Sequence, residues 1–282
     1  MIGLREGVSL EEVLAQLRDT NRTAGNIVGL AMDGGADAML DEYFKWTESA
    51  ERMLTNVLPV DAVAELVHTR RFWALRTLTG AESRVIPLIM TEIETRQREL
   101  RALVASLEAE RARWADDEAT LVIPDTNMFL KDGEPFDSLS WLDGPEFSDE
   151  LRIVIPIVVI HELDRLKREG NNSARSMARA SIRWLTEKFP APGPGSRVIL
   201  GTERRAVTLE AYVTEGPMRP HDPDGVIIAA ARWLQIASER PTRLVTHDLG
   251  MRLRARLSGV EAVQLPDPER GADKPARGSA RE

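Results

Sequence analysis

Residues 121–127 read LVIPDTN, four apolar or proline positions followed by an acid, a hydroxyl and an amide. A short apolar run that ends in a turn signal reads as a buried strand, and the acid at its end stands where the strand meets the sheet edge. Comparable runs recur at 153–156, 197–200, 244–246 and 260–265, separated by amphipathic helical patterns. Strands that alternate with helices in this way predict βαβ units and a parallel sheet covered on both faces. Residues 119–267 are therefore expected to form an α/β domain.

The texture upstream is different, and residues 1–118 read as an all-α domain. Ser9 and Glu12 form a capping box ahead of Val13, Leu14 and Leu17. A second helical pattern runs from Ala38 through Phe44 and Trp46 to Leu54, and a third covers 60–78 after Pro59. Beyond Gly80, the positions Ile89, Ile93, Arg96, Leu100, Leu103, Leu107, Glu110 and Trp114 recur at steps of four and three, with polar residues at two seam positions. That spacing predicts one long helix, serving either as an arm packed inside the domain or as a short coiled coil between chains. Barely four heptads favour the arm within the domain, and these helices are the candidate surface for a homo-oligomer or a protein partner. Residues 268–282 lack aromatic side chains and any apolar side chain larger than alanine, and are expected to be a disordered tail.

Composition narrows the chemistry. Of 282 residues, 43% are hydrophobic and 29% charged, which is globular composition and excludes a chain disordered throughout. The absence of cysteine removes disulfides, thiolate-held zinc, iron–sulfur clusters and a thiol nucleophile. No apolar stretch is long enough to span a bilayer and the start, with Arg5 and Glu6, lacks the apolar core of a secretion signal. A cytoplasmic protein with no membrane partner is expected. The net charge of −8 is unevenly spread: residues 1–118 carry 14 basic and 21 acidic side chains, the remainder 23 and 24. Arg165, Lys167, Arg168, Arg175, Arg179 and Arg183, and then Arg252, Arg254 and Arg256, make the second part locally basic. A polyanion would meet positive charge only there.

Ligands of an open parallel sheet bind outside the carboxyl ends of its strands, so the residues at those ends carry the chemical argument. LVIPDTN ends at Asp125; RIVIP leads into IHELDRLKR with Glu162 and Asp164; HDPDGVIIAAARW sets Asp222 and Asp224 at a helix start; RLVTHD ends at Asp248. Each acid has a local explanation, Asp224 and Asp248 as helix caps and Glu162 as a partner of Arg165 or Arg168. Convergence is what these leave unexplained, because carboxylates gathered at one edge repel each other unless a cation sits among them. Hard divalent ions take oxygen ligands, which points to Mg²⁺ or Mn²⁺ and to a metal-activated water attacking a phosphodiester. Other motifs fail. Position 165 is Arg, so the His-Glu pair at 161–162 does not complete HExxH, and no Gly-Lys-Ser/Thr is present.

The ordered set DTN, ELDRLK, an Asp before IIAAA, and THD, with Asp125, Glu162, Asp224 and Asp248 spaced 37, 62 and 24 residues apart, resembles the PIN-domain ribonucleases. The stretch ELDRLKREGNNSARSMARASIRWL is similar to the branch of that family in which a Glu-Leu-Asp helix precedes an Ala-Arg-rich helix (PINc-like). The resemblance covers residues 119–267. It implies a PIN-like fold and a Mg²⁺- or Mn²⁺-dependent endoribonuclease that hydrolyses RNA by metal-activated water. It also implies that Asp125, Glu162, Asp224 and Asp248 are the catalytic, metal-holding quartet, supported by Asn127 and Thr246. The sequence Asp222-Pro223-Asp224-Gly225 departs from the family pattern and makes Asp222 a further candidate ligand, although spacing to Ile227 favours Asp224. Arg165, Arg168, Arg175, Arg179 and Arg183 would then hold the RNA backbone, beside a flexible link at 169–173. Trp184 and Trp233, with apolar neighbours at helical spacing, are expected in the core. Two alternatives stand beside this reading. One is a catalytically silent PIN fold that binds RNA or scaffolds proteins. The other is a haloacid-dehalogenase-like phosphatase, opposed by Asn127 where a second Asp would be required.

Overall fold

The computed structural model describes residues 4, 5, 7–78, 84–115, 118–130, 136–142, 144, 145, 147–189, 196–200, 205–213 and 222–264. The tail at 268–282, expected to be disordered, lies outside them. The chain divides into two compact units, Met1–Asp116 with Ile236–Ser238, and Asp117–Gln235 with Glu239–Glu282.

The first unit is helical. Ser9 caps α1 (Leu10–Leu54) by accepting the Glu12 amide, and the Glu12 carboxylate accepts the Ser9 amide at 2.9 Å in return. Inside α1, Gly35 adopts φ 72° and ψ −175°, a combination that only glycine occupies without strain. There the helix breaks into two arms, and the Trp46 indole donates to the Thr20 carbonyl across them at 3.2 Å. The expected pattern at 38–54 is thus the second arm. The single pattern read at 60–78 is two helices, α2 (Val60–Val67) and α3 (Arg70–Leu75). Thr69 makes the division: its hydroxyl accepts the Phe72 amide at 3.1 Å and donates to Glu92 at 2.7 Å.

The long helix α4 (Val85–Ala115) forms as its spacing predicts and packs against α1 within the unit, with Gln97 donating to the Asn21 carbonyl at 3.3 Å. Its buried stripe contains Val104 where the heptad reading placed Leu103, and Glu110 is only half-buried. A helix at 3.6 residues per turn drifts off a strict seven-residue repeat, which accounts for the change. Arg96 stays on the buried stripe because it is paired: its Nε lies 3.1 Å from the Glu92 carboxylate. Gly35→Ala should destabilise this unit by about 1–3 kcal/mol through backbone strain alone. Urea denaturation followed by circular dichroism checks this, and an unchanged midpoint contradicts the reversal at Gly35.

Among the described residues the second unit carries six strands: β1 (Thr120–Pro124), β2 (Glu150–Pro156), β3 (Arg197–Ile199), β4 (Ala206–Tyr212), β5 (Thr242–Val245) and β6 (Glu261–Val263). They form one sheet in the order β3-β4-β2-β1-β5-β6, parallel except for the antiparallel edge pair β3 and β4. Helices α5 (Ile157–Glu169), α6 (Asn172–Lys188), α7 (Pro223–Ser238) and α8 (Leu249–Leu257) complete the unit. The antiparallel edge and β4 itself correct the sequence reading, which placed no strand at 206–212. β4 buries Glu210 in the sheet, and its carboxylate accepts from the Arg152 Nε at 2.9 Å on neighbouring β2, both side chains being fully enclosed. The link between α5 and α6, expected as a flexible loop at 169–173, is only Gly170 and Asn171, and Asn171 caps α6 by accepting the Ala174 amide at 2.9 Å. Trp233 is buried, and Trp184 is half-buried edge-on to Phe136. No described helix is long and apolar enough to cross a membrane.

This topology fixes a site. From β1 the chain adds β2 and then β4 on one side, and α7 carries it back so that β5 and β6 build on the other. The order therefore reverses between β1 and β5, and the crevice outside their carboxyl ends is the switch point where such sheets bind ligands. Glu210→Gln should cost about 3–5 kcal/mol, because it removes the negative charge that the enclosed Arg152 guanidinium faces. Chemical denaturation of the variant measures that loss, and a loss under 1 kcal/mol contradicts the role of the pair.

Candidate acidic site

Asp125 is placed by β1. Leu121, Val122 and Ile123 are buried, Pro124 pairs with Val245, and the Asp125 amide donates to the Val245 carbonyl at 2.9 Å, which holds the residue at the switch point. Its side chain is almost sealed from water, the residue being 3% exposed. The Oδ2 atom accepts from the Thr246 hydroxyl at 2.8 Å and from the Asn127 amide at 3.3 Å. Thr246 follows β5 directly, and the same hydroxyl accepts the Asp248 amide at 3.0 Å. One side chain thus connects the ends of β1 and β5. Asp248 in turn caps α8, accepting the Met251 amide at 2.8 Å.

Glu162 comes from α5, near the end of β2. Its Oε2 accepts from the Thr126 hydroxyl at 2.6 Å, and Oε1 faces Arg165 at 3.3 Å. Asp222 and Asp224 come from the start of α7. The local reading had Asp224 as the cap; the structure gives that role to Asp222, which accepts the Gly225 amide at 3.1 Å. Pro223 takes the first helical position, where its missing N–H is no loss. Arg254 on α8 donates to both Asp222 oxygens, at 2.9 and 3.0 Å, and its Nη1 lies 3.7 Å from Asp224 Oδ2.

The electrostatics tie these acids together. Burial pushes the Asp125 carboxyl above the ordinary carboxylate range; the Thr246 hydroxyl and the Thr126 amide act against that, while the charges of Asp224 and Glu162 add to it. Asp224 is also raised, first by burial, with Arg254 opposing and the Asp248 and Asp222 carboxylates reinforcing. Asp125 thus feels the charges of Asp224 and Glu162, and Asp224 those of Asp248 and Asp222. Asp164 is directed to Lys167, 3.6 Å away.

The basic side chains divide. Arg165 faces Glu162, while Arg168, Arg179 and Arg183 are exposed on α5 and α6. Arg175 departs from the expected rim: half-buried, it donates to the Gly170 carbonyl at 3.1 Å and closes the end of α5. Two residues of the site escaped the sequence reading. Thr126, the middle of DTN, carried a local signal in lying beside the acid. Arg254 was legible only as one of a basic cluster with Arg252 and Arg256, because it meets Asp222 through the packing of α8 beside the start of α7.

The donors are carboxylates and hydroxyls, which fits a hard divalent ion in kind. Among the described residues, however, no three His, Asp or Glu side chains are gathered closely enough to hold a metal ion. Thr246 and Asn127 occupy one oxygen of Asp125, and Arg254 engages the Asp222–Asp224 end.

A mostly parallel sheet with acids following its central strands is an α/β fold whose switch point carries the candidate site. Residues 122–266, just over half of the chain, match the PIN domain, and the chain belongs to the PIN domain family. The match is to the family and singles out no branch within it. No curated protein matches the chain. Among solved structures, a domain of a functionally unknown protein from Methanocaldococcus jannaschii DSM 2661 aligns over 58% of this chain and 100% of its own, at 20% identity and a TM-score of 0.38.

The raised acid at Asp125 has a consequence for stability. A carboxyl whose pKa is higher folded than unfolded, about 3.9, binds more protons in the folded state, so stability falls as pH climbs through that range. Asp125→Asn keeps an oxygen for Thr246 and Asn127 and removes the charge. In EDTA the variant should be more stable than the wild type at pH 7, with the difference closing toward pH 4. Thermal melts across that interval measure it, and a wild type that gains on the variant as pH rises contradicts the raised Asp125 carboxyl.

Proposed function

We propose that this chain is a Mg²⁺- or Mn²⁺-dependent endoribonuclease, and that residues 119–267 are its nuclease domain, preceded by a separate helical domain at 1–118. The observation that carries the reading is Asp125: a carboxylate almost sealed from water, at the switch point of the sheet, with Glu162 and Asp224 adding their like charges to it. The hydrogen bonds of Asp125 to Thr246 and Asn127 offset only part of that cost, and a divalent cation would relieve the rest. The family supports a nuclease-like fold.

In this reading Asp125, Glu162, Asp224 and Asp248 would hold the ion. When bound, the ion supplies an activated water and neutralises charge at the phosphodiester. The chain does the rest. Thr246 and Asn127 fix the orientation of Asp125, and Thr126 fixes Glu162. The exposed Arg168, Arg179 and Arg183, with Arg165 beside Glu162, hold the phosphate backbone of a single-stranded RNA. The chain would act by direct hydrolysis.

One observation favours a second reading, a silent PIN fold that binds RNA without cutting it: among the described residues no three donors are gathered for a metal. Incubating the full chain with a labelled single-stranded RNA oligomer in Mn²⁺, Mg²⁺ or EDTA separates the two. The nuclease reading expects cleavage that needs the ion and falls at least about a hundredfold in Asp125→Asn, more than the loss of a supporting residue costs. RNA that is bound but left intact in every metal establishes the silent module.

A further inference from the structure

Asp222 and Arg254 form a contact that the proposed hydrolysis does not use. Asp222 is committed on both oxygens: Oδ1 accepts the Gly225 amide and an Arg254 N–H, and Oδ2 accepts from the same guanidinium nitrogen at 3.0 Å. Space for this pair is made by the glycine. A Cβ at position 225 would stand 2.1 Å from Asp222 Oδ2 and 3.0 Å from Arg254 Nη2, so any other residue there would push the carboxylate away. Asp224, two residues on, is held far more loosely, its Oδ2 lying 3.7 Å from Arg254 Nη1, outside hydrogen-bond distance. Both side chains of that looser contact are nearly half exposed, at 46% and 44%.

We propose that Asp222 is an anchor rather than a metal ligand, and that the Arg254 it holds is a resident cation which restrains Asp224 until a divalent ion draws Asp224 away. This rests on the metal-dependent reading above and deepens it by naming the residue that sets how tightly the ion binds. Asp222 and Arg254 cancel in charge, so the clasp adds no net field to the site. Its effect is local: the guanidinium competes for one carboxylate. Coulomb attraction across a half-exposed pair is weak, which makes the restraint one that a doubly charged ion can overcome.

The test is Mn²⁺ titration by calorimetry of the full chain, as wild type, Arg254→Gln, Arg254→Lys and the double variant Asp222→Asn/Arg254→Gln. Arg254→Gln should bind Mn²⁺ about two- to fivefold more tightly, the factor expected when a half-exposed ion pair no longer competes. The double variant, with the wild-type net charge, should tighten similarly, which separates release of Asp224 from a general gain in negative charge. Arg254→Lys keeps the cation and should stay within about twofold of wild type. Binding equal to or weaker than wild type in both Arg254→Gln and the double variant overturns the clasp while leaving the metal reading intact. If Arg254→Gln does not fold, the double variant decides alone. Mn²⁺ binding by a variant where wild type shows none supports the clasp, and no binding by any of the four proteins overturns both the clasp and the metal reading.

Discussion

Asp125 is a carboxylate buried where a strand meets the sheet edge, and the cost of that burial, with the like charges of Asp224 and Glu162 added to it, is the constraint around which the carboxyl end of the sheet is arranged. Asp125 carries the largest burden, being buried at the carboxyl end of β1 with Glu162 and Asp224 facing it. The fold answers in several ways. Thr246 and Asn127 donate to Asp125, Thr126 donates to Glu162, and Arg165 and Arg254 bring positive charge to the margins. Asp222, Asp224 and Asp248 sit at the first turns of α7 and α8, where unpaired backbone N–H groups and the helix dipole favour negative charge. Each compensation is partial, and Asp125 and Asp224 both remain harder to ionise than an ordinary carboxyl.

The contrast with Arg152 and Glu210 shows what distinguishes a structural charge from a functional one. Those two are as deeply buried as any residue in the sheet, yet each faces an opposite charge in contact, and Arg197 lies 3.7 Å from the same carboxylate. Arg96 and Glu92 in α4 follow the same pattern. Pairs of this kind secure register and packing in a core where an unmatched ion would be costly. At the switch point the matching is reversed, acid facing acid. Asp125 is buried there with hydroxyl and side-chain amide donors in place of a cation.

What the sequence made legible follows from the range of each interaction. β1, β2 and β5 each contain a short apolar run, at 121–124, 153–156 and 244–245, that can be read without knowing its partner, and the acids that follow them are placed by the general behaviour of parallel sheets. The capping box at Ser9 and Glu12 and the long helix α4 are likewise written in local spacing. β4 was hidden because Glu210 breaks its apolar pattern, and the arginine that makes this burial tolerable lies 58 residues away. Recognising that strand explains why Asp222 and Asp224 arrive at the same edge as Asp125, since α7 follows it. Arg254 was hidden for the same reason, meeting Asp222 across 32 residues. The split between α2 and α3 depends on Thr69 finding Glu92, again a contact between distant residues. Local periodicity thus located the acids, and long-range pairing decided how each is held.

The central claim is that these acids converge to hold a divalent ion. A crystal structure of the protein soaked in Mn²⁺, with anomalous scattering to identify the metal, tests it most directly. The account predicts an ion at the carboxyl ends of β1 and β5, with an oxygen of Asp125 about 2.0–2.2 Å away and at least two among Glu162, Asp224 and Asp248 reaching it either at that distance or through an ordered water. Carboxylates that stay where hydroxyls and arginines now hold them, with no anomalous peak among them at saturating Mn²⁺, would contradict it.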